Sequence, residues 1–299
     1  MALLHELAET YLTACDVEGK ARSTIRGYRE SLTRFQEVGA RLEFPAEVEA
    51  FTVQHVYAFL GALRERGASR AYQHRLHREV KAFFSWCKRF DVVSENVFAR
   101  VPLVKLEQQI VQPFSTDDVR RLLAAINRGV RAGTRNYALV LFLLDTGVRA
   151  SECVSVRLDD VDWERGRVRV LHGKGQKQRW VGIGEQARAA LTDYLLVRGE
   201  AEGQLFLSER SGKGLHSLAL NVLFNKLGQQ AGVTHVHPHR FRHTFATWAI
   251  RSQAREIDVQ SLLGHSSLTM VQRYARTYSS EQAVLAHEQF SPVGQLGIG

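Results

Sequence analysis

Histidine and arginine side chains are concentrated in one short segment, HPHRFRHT, at positions 237–244. With His235 just upstream, this segment holds four of the 12 His residues of the 299-residue chain. Proline is favoured in the first turn of a helix, where its missing N–H would have no partner. We therefore predict a helix that begins at Pro238 and carries His239, Arg242 and His243 on neighbouring faces, three and four residues apart.

Three interpretations of this segment are a metal site, an anion site and a solvated basic turn. The spacing of His239 and His243 is that of a metal pair on a helix. However, the residues between them include Arg240 and Arg242, whose guanidinium groups would repel a divalent cation, and no carboxylate. The same set suits a phosphate, because arginine binds two oxygens at once and histidine exchanges a proton near neutral pH. The residues thus favour phosphate over metal, and no cofactor is predicted.

Four more candidates for phosphate chemistry lie elsewhere in the chain. Arg149 stands in DTGVRASE, and Lys174 lies between two glycines in HGKGQKQ (172–178). His265 follows Leu-Gly, and Tyr274 comes nine residues later in VQRYAR. Together with the HPHRFRHT segment they make a set of two arginines, a lysine, two histidines and a tyrosine, without an acidic cluster suited to magnesium.

Helices and one hairpin must position these side chains. Ser115 or Thr116 is expected to cap a helix, and further helices are predicted at about 134–145, 185–198, 216–231, 238–252 and 256–263. Residues 167–170 and 180–183 alternate polar and apolar around the glycine-containing turn that carries Lys174, which predicts a hairpin. The fold class is therefore mainly α with a small antiparallel β-sheet.

The first hundred residues are predicted to be helical, and one of their helices is basic. Ser23 is expected to cap the second helix, and a third spans about 52–66. The segment 64–89 holds eight Lys or Arg residues against two Glu. On its helix, aromatic residues lie on one side and basic residues on another, which suits a DNA groove as well as a solvated face. The residues predicted to contact DNA there are Arg70, Arg75, Arg78 and Lys81.

Composition limits the class of protein. The net charge of +9 and the pI of about 9.7 favour an anionic partner, with nucleic acid first. No apolar run approaches membrane-spanning length, the N-terminus resembles no export signal, and three scattered cysteines suggest no disulfide framework. We expect a cytoplasmic, nucleoid-associated protein. Its domains are predicted as a helical domain at 1–100, a linker at 101–115 and a second domain at 116–299.

In order and spacing, the motifs DTGVRASE, HGKGQKQ, HPHRFRHTFAT and LLGHSSLTMVQRY resemble those of the tyrosine recombinases, the phage integrase family. The N-terminal stretch TYLTACDVEGKARSTIRGYRESLTRF is similar to the core-binding domain of Xer-type members, so the resemblance covers nearly the whole chain. It implies an N-terminal core-binding domain followed by an α+β catalytic domain. It also implies a site-specific recombinase that acts on double-stranded DNA as a tetramer on two sites, with a dimer on each.

The resemblance further implies a role for each candidate. Tyr274 attacks a DNA phosphate and forms a 3′-phosphotyrosine, while the two arginines, Arg149 and Arg242, hold the non-bridging oxygens. Lys174 protonates the leaving 5′-oxygen, His239 accepts the tyrosine proton, and His265 hydrogen-bonds the phosphate. A metal ion and ATP are not required.

Supporting roles are expected for residues near the catalytic set. Glu152 is predicted to orient an arginine and His243 to form structural hydrogen bonds. Lys177 and Arg179 on the hairpin are predicted to contact the DNA backbone, although a solvated hairpin is an equal alternative. Two positions depart from the family pattern: His237 stands where many relatives have Ser or Thr, and Tyr278 is a second tyrosine one turn after Tyr274.

Other functions stay open at this point. A type IB topoisomerase-like enzyme would use the same chemistry without joining two sites. A DNA-binding protein without catalysis would not need the intact catalytic set, and a metal-dependent nuclease would lose activity in chelator. The sequence does not identify the target site, or show whether a second recombinase or an accessory protein takes part. The tail after Tyr274 carries apolar residues, and in this family such tails often dock on the next subunit.

Overall fold

The computed structural model of the protein describes residues 2–106, 112–171, 178–199 and 202–264. The chain forms two compact units, Met1–Gln109 and Ile110–Gly299. The predicted linker contributes to both cores, because Val101 is buried in the first and Phe114 in the second. The predicted functional residues Lys174, Lys177, His265 and Tyr274 lie outside the described residues.

Helices build the described part of the first unit. They are α1 (Leu4–Val17), α2 (Arg22–Arg41), α3 (Val53–Glu65) and α4 (Arg70–Arg89), with short 3-10 turns at Val48–Ala50 and Val97–Ala99. The predicted helices are therefore present. Ser69 caps α4 by accepting a hydrogen bond from the amide of Tyr72. The prediction for Ser23 was wrong: α2 begins at Arg22, before Ser23, and no side chain caps it.

Aromatic side chains fill the centre of the first unit. The ring of Phe35 on α2 lies 5.0 Å from that of Phe59 on α3, edge to face, and 5.4 Å from that of Phe98. Phe84 of α4 stacks at a tilt against Phe98, with 5.0 Å between ring centroids. Such contacts add to the hydrophobic gain of burying large rings. This core holds α4 in place, so the helix presents its basic residues on its outer side.

The second unit combines helices with a small sheet. Its described helices are α5 (Thr116–Ala124), α6 (Arg131–Thr146), α7 (Ala150–Ser155), α8 (Glu185–Arg198), α9 (Ser217–Ala231), α10 (Pro238–Arg251) and α11 (Glu256–Leu263), and its described strands are β1 (Val161–Asp162), β2 (Arg167–Leu171) and β3 (Gln178–Gly182). A 3-10 turn, Leu158–Asp160, precedes β1. The strands are antiparallel in the order β1-β2-β3. The predicted fold class, mainly α with a small antiparallel sheet, is confirmed.

The central element of the second unit is the apolar helix α6, which packs against both α8 and α10. In the sheet, Val168 pairs with Val181 and Arg169 with Trp180. Because successive side chains of a strand point to opposite faces, Val168, Val170 and Val181 are buried while Trp180 is exposed. The sequence did not predict β1 or α7, which have only two and six residues. None of the described helices is long and apolar enough to cross a membrane.

Removing the Phe35 ring is expected to destabilise the first unit strongly. Phe35→Ala should lower its free energy of unfolding by about 3–5 kcal/mol, the usual cost of deleting a buried aromatic ring. Hydrogen exchange of the slowest amides of α4 in the full chain measures this change. Phe90→Ala is the control, because the Phe90 side chain is 58% exposed, and it should cost less than about 1 kcal/mol. Equal effects of the two substitutions would contradict this account of the core.

Candidate active site

The histidines of HPHRFRHT have three different places around α10. Pro238 occupies the first turn, as predicted, and His237 is the N-cap residue. The Nδ1 atom of His237 accepts a hydrogen bond of 3.3 Å from the amide of Arg240. A Ser or Thr oxygen at an N-cap accepts the same kind of bond, so His237 replaces the more common capping residues here. His243 is buried, and His239 is exposed at the start of the helix.

Helix α10 is fastened to the chain segment that enters the second unit. The guanidinium of Arg240 donates to the carbonyl of Gln112 over 2.9 Å and lies 4.1 Å from the centre of the Phe114 ring. The hydroxyl of Thr244 accepts a hydrogen bond from the amide of Phe114 over 2.9 Å. The Phe114 ring also packs on Phe241. These contacts fix the position of the helix that carries His239 and Arg242.

Arg242 reaches from α10 to two backbone carbonyls. Its Nη1 donates to the oxygen of Gly147 and its Nη2 to that of Leu263, both over 2.8 Å. The side chain is deeply buried, with 3% of its surface exposed. Gly147 ends α6 with a positive φ of 59°, and a Cβ there would come within 2.4 Å of the Phe245 ring. Glycine is therefore needed at the point where α6 ends beside the predicted phosphate-binding residues.

Arg149 lies two residues after this turn and is the N-cap residue of α7. The carboxylate of Glu152 accepts from its amide over 2.9 Å and from its Nη1 over 2.8 Å. Its Nη2 also donates to the oxygen of Gly264 over a long 3.5 Å. The Arg149 side chain is 40% exposed and that of Glu152 only 4%. Glu152 thus contacts Arg149 at two points, and its role of orienting an arginine stays a prediction.

Arg179 occupies a different place from the one expected. Its Nη1 and Nη2 donate to the two carboxylate oxygens of Glu152 over 3.1 and 2.8 Å. Its Nε donates to the oxygen of Leu262 over 2.6 Å. The side chain is 11% exposed. We therefore revise the predicted DNA contact of Arg179, because its guanidinium is turned inward to a buried carboxylate and a helix end.

Three arginines thus meet three successive carbonyls at the end of α11. Arg179 binds that of Leu262, Arg242 that of Leu263 and Arg149 that of Gly264. The last carbonyls of a helix have no partner within the helix and form the negative end of its dipole, so cations are favoured there. The arginines come from β3, α10 and the start of α7, and their common target brings the three elements together immediately before position 265.

The electrostatics of this cluster keep Glu152 ionised. Burial alone would raise the pKa of its carboxyl, but hydrogen bonds from Arg179 and from the backbone and side chain of Arg149 outweigh that effect. The resulting pKa is about 2, well below its ordinary value. Glu152 is therefore an anion at neutral pH.

His239 is held neutral by its surroundings. Although the ring has access to solvent, its pKa is lowered, first by partial burial and then by the positive charges of Arg242 and Arg149. A neutral imidazole can accept a proton from a reacting group. The structure thus brings Arg149, Glu152, Arg179, His239 and Arg242 into one electrostatic neighbourhood. Lys174, His265 and Tyr274 lie outside the described residues.

The predicted DNA-binding residues of α4 are in the first unit. Arg70 and Arg78 are exposed, and Arg75 and Lys81 are half-buried. Arg75 lies over the Tyr72 ring and makes a long contact of 3.4 Å with Glu30. Such a partly exposed pair contributes little to the stability of the fold.

Within the described residues, no group of three or more His, Cys, Asp or Glu side chains could hold a metal ion. The polar residues that sequence analysis missed are Arg179 and Arg240 as structural ligands of the site. For Arg179 a signal existed: it is two residues from Val181, so it must share the buried face of β3. For Arg240 no sequence signal points to the carbonyl of Gln112, which is 128 residues away.

The chain is similar in sequence to known tyrosine recombinases. A profile of the phage integrase family matches residues 112–281. The chain is 34% identical over 260 residues to the tyrosine recombinase XerC of Bacillus subtilis, covering 84% of each protein. It is 32% identical over 304 residues to the tyrosine recombinase XerC of Corynebacterium efficiens, covering 96% of this chain and 92% of that protein.

Solved structures show the same fold. The Tn1549 transposon integrase in complex with a circular intermediate DNA matches with a TM-score of 0.77 at 19% identity, over 95% of this chain and 100% of that one. XerH site-specific recombinase bound to a palindromic difH substrate matches with a TM-score of 0.72 at 21% identity, over 88% and 79%. The XerA recombinase is 26% identical over 97% of this chain and 99% of that one, with a TM-score of 0.53.

The lowered pKa of Glu152 predicts how stability changes with pH. A carboxyl whose pKa is lower in the folded state stabilises the fold above its unfolded pKa, and this contribution is lost as pH falls through the folded pKa. Wild type should therefore be more stable than Glu152→Gln at neutral pH. The gap in free energy of unfolding should shrink by about 3 kcal/mol between about pH 5 and about pH 2.

Urea unfolding of the two proteins across this pH range measures the gap directly. Asp258→Asn is the matched control, because Asp258 also pairs with an arginine, Arg255, but on the surface, where such pairs contribute little. A gap between wild type and Glu152→Gln that does not change with pH would show that the Glu152 carboxylate is not held by the arginines in this way.

Proposed function

Since the chain belongs to the phage integrase family of tyrosine recombinases, we propose that it is a site-specific recombinase that breaks and rejoins duplex DNA through a 3′-phosphotyrosine intermediate. The observation that carries this proposal is the pair Arg149 and Arg242. At the end of α11, Arg242 donates to the carbonyl of Leu263 and Arg149 donates to that of Gly264. After partial burial, the charges of both arginines lower the pKa of His239 further. A pair of anchored guanidiniums beside a neutral imidazole suits a phosphodiester.

In the first step the Tyr274 oxygen attacks the phosphorus of one DNA strand and displaces the 5′-oxygen. The tyrosine proton passes to neutral His239, and Lys174 donates a proton to the leaving oxygen. The phosphoester is conserved as a bond between tyrosine and the 3′-phosphate, so a 5′-hydroxyl from another strand can reverse the step. ATP is therefore not needed.

Arg149 and Arg242 act on the phosphate itself. Negative charge increases on the non-bridging oxygens as the five-coordinate transition state forms, and donors already fixed in place stabilise it most effectively. A guanidinium presents its N–H donors in a planar fork, which matches two oxygens of a phosphate. With two guanidiniums and Lys174 to balance the charge, the mechanism does not require a metal ion. His265 is assigned a hydrogen bond to the phosphate.

The proposal assigns different roles to the two parts of the chain. Residues 1–100 serve as a core-binding domain that contacts double-stranded DNA through Arg70, Arg75, Arg78 and Lys81, joined by a linker at 101–115 to a catalytic domain at 116–299. Lys177 on the hairpin adds a backbone contact. The active assembly is a homotetramer on two synapsed sites, with the apolar tail after Tyr274 docked on the neighbouring subunit.

A covalent adduct tests the function most simply. Nicked, partly randomised duplexes are incubated with wild type and with Tyr274→Phe in excess EDTA, then denatured and separated on a gel. We expect a protein–DNA band that survives denaturation and EDTA and is lost in Tyr274→Phe. A band that persists in this variant would move the nucleophile to Tyr278. The absence of a band despite DNA binding would favour a DNA-binding protein without catalysis.

Synapsis separates the recombinase from its nearest alternative. A type IB topoisomerase-like enzyme would relax supercoiled plasmid that contains none of the sequences recovered from the adduct. A recombinase is expected to exchange strands only between two copies of the recovered site, so relaxation without a site would contradict the proposal.

Arg242→Lys should reduce adduct formation by about 100-fold or more, the usual effect of removing one fixed donor to a developing oxyanion. A single ammonium cannot span the carbonyls of Gly147 and Leu263 and also present a flat pair of donors to a phosphate. Arg251→Lys, on the exposed last turn of the same helix, is the matched control and should retain the wild-type rate. Near wild-type cleavage by Arg242→Lys would exclude Arg242 as a phosphate ligand.

A further inference from the structure

Arg179 connects the carboxylate of Glu152, which contacts Arg149, with the C-terminal end of α11. On β3 it lies on the same face as buried Val181, while its neighbour Trp180 is exposed on the opposite face. Its Nη1 and Nη2 donate to the carboxylate of Glu152, and its Nε donates to the carbonyl of Leu262. One end of its guanidinium thus holds the carboxylate that orients Arg149, and the other holds the last turn of α11.

Both oxygens of the Glu152 carboxylate accept hydrogen bonds from both Arg149 and Arg179. Its Oε1 accepts from Nη1 of Arg149 and from Nη1 of Arg179, over 2.8 and 3.1 Å. Its Oε2 accepts from the amide of Arg149 and from Nη2 of Arg179, over 2.9 and 2.8 Å. Each oxygen therefore has one partner from each arginine, and the position of Arg149 depends on a carboxylate that Arg179 holds from the other side.

Charge gives Arg179 a second effect on Arg149. If Glu152 faced Arg149 alone, the two formal charges would cancel, and a phosphate would meet a neutral pair. With Arg179 present, the three side chains carry a net charge of +1, and Arg149 is their exposed member at 40%, against 11% for Arg179. An inner arginine thus offsets the carboxylate, so that the outer one can act on an anion.

We propose that Arg179 is a positioning residue of the active site: it offsets the negative charge of Glu152 and holds that carboxylate at the C-terminal end of α11, so that Arg149 is oriented for the DNA phosphate with a net positive charge around it. This inference rests on the proposed function, since it assigns a phosphate to Arg149. It replaces the expected DNA contact of Arg179. Lysine is a poor substitute, because a single ammonium cannot bridge two carboxylate oxygens and a carbonyl.

The first test needs no DNA. Hydrogen exchange is compared in wild type, Arg179→Gln and Arg179→Lys, with Arg167→Gln as the matched control. Arg167 belongs to the same sheet and also pairs with a carboxylate, that of Asp162, but it stacks on exposed Trp180 on the opposite face. In Arg179→Gln the amides at the end of α11 and the start of α7 should exchange about 100-fold faster, because a buried carboxylate loses its hydrogen bonds from Arg179.

Arg179→Lys should show a smaller increase in the exchange rate of these amides, because lysine restores the positive charge but not the planar set of donors. The control should match wild type. Unchanged exchange at both helix ends in Arg179→Gln would overturn the proposal.

The second test separates positioning from simple loss of stability. Single-turnover adduct formation on the nicked duplex pool is measured for Arg179→Gln, Glu152→Gln and the double variant. Arg179→Gln should slow adduct formation by about 100-fold, since the negative charge of Glu152 then acts on Arg149 without the charge of Arg179 to offset it. Removing the carboxylate as well should restore part of the rate, so the double variant should be faster than Arg179→Gln.

Two purely structural losses would instead add, and a double variant slower than Arg179→Gln would overturn the proposal. If wild type itself forms no adduct, the proposed function is contradicted. The exchange comparison then decides the positioning claim by itself.

Discussion

The unpaired carbonyls at the end of α11 are the constraint on which the site depends. A helix end inside a protein needs donors, and the negative end of its dipole favours cations. Here the donors are arginines that stand far apart in sequence, at positions 149, 179 and 242. Satisfying these carbonyls therefore assembles a cationic cluster, and the next residue in the sequence is the predicted phosphate ligand His265.

Bringing three guanidiniums together is electrostatically unfavourable unless negative charge is placed among them. The structure supplies it in two forms, the dipole of α11 and the carboxylate of Glu152. The pKa of Glu152, lowered to about 2 despite its burial, shows how strongly the arginines hold it. Partial burial lowers the pKa of His239 most, and the charges of Arg242 and Arg149 lower it further, so the cluster acts on the predicted base as well as on the predicted phosphate site.

Much of this could be predicted from sequence because it is local. Pro238 predicted the start of α10. Ser115 was one of two expected caps for α5, and the structure shows it capping the helix: its amide donates to the Asp118 carboxylate and its hydroxyl accepts from the Asp118 amide. Non-local contacts could not be predicted in this way. The partners of Arg179 and Arg240 are carbonyls and a carboxylate from distant segments, and no periodicity identifies them. Arg179 was misassigned because basic residues on a hairpin are usually solvated, although its register with Val181 indicated the buried face.

The most direct test is a structure of the protein with a nicked duplex and orthovanadate, which mimics the five-coordinate phosphorus. The account predicts vanadate oxygens within hydrogen-bond distance of Arg149 and Arg242, while the bonds of Arg242 to Gly147 and Leu263 are retained. Vanadate bound away from both arginines, or bound only after Arg242 has left the carbonyls of Gly147 and Leu263, would contradict the claim that the end of α11 fixes the arginines for the phosphate.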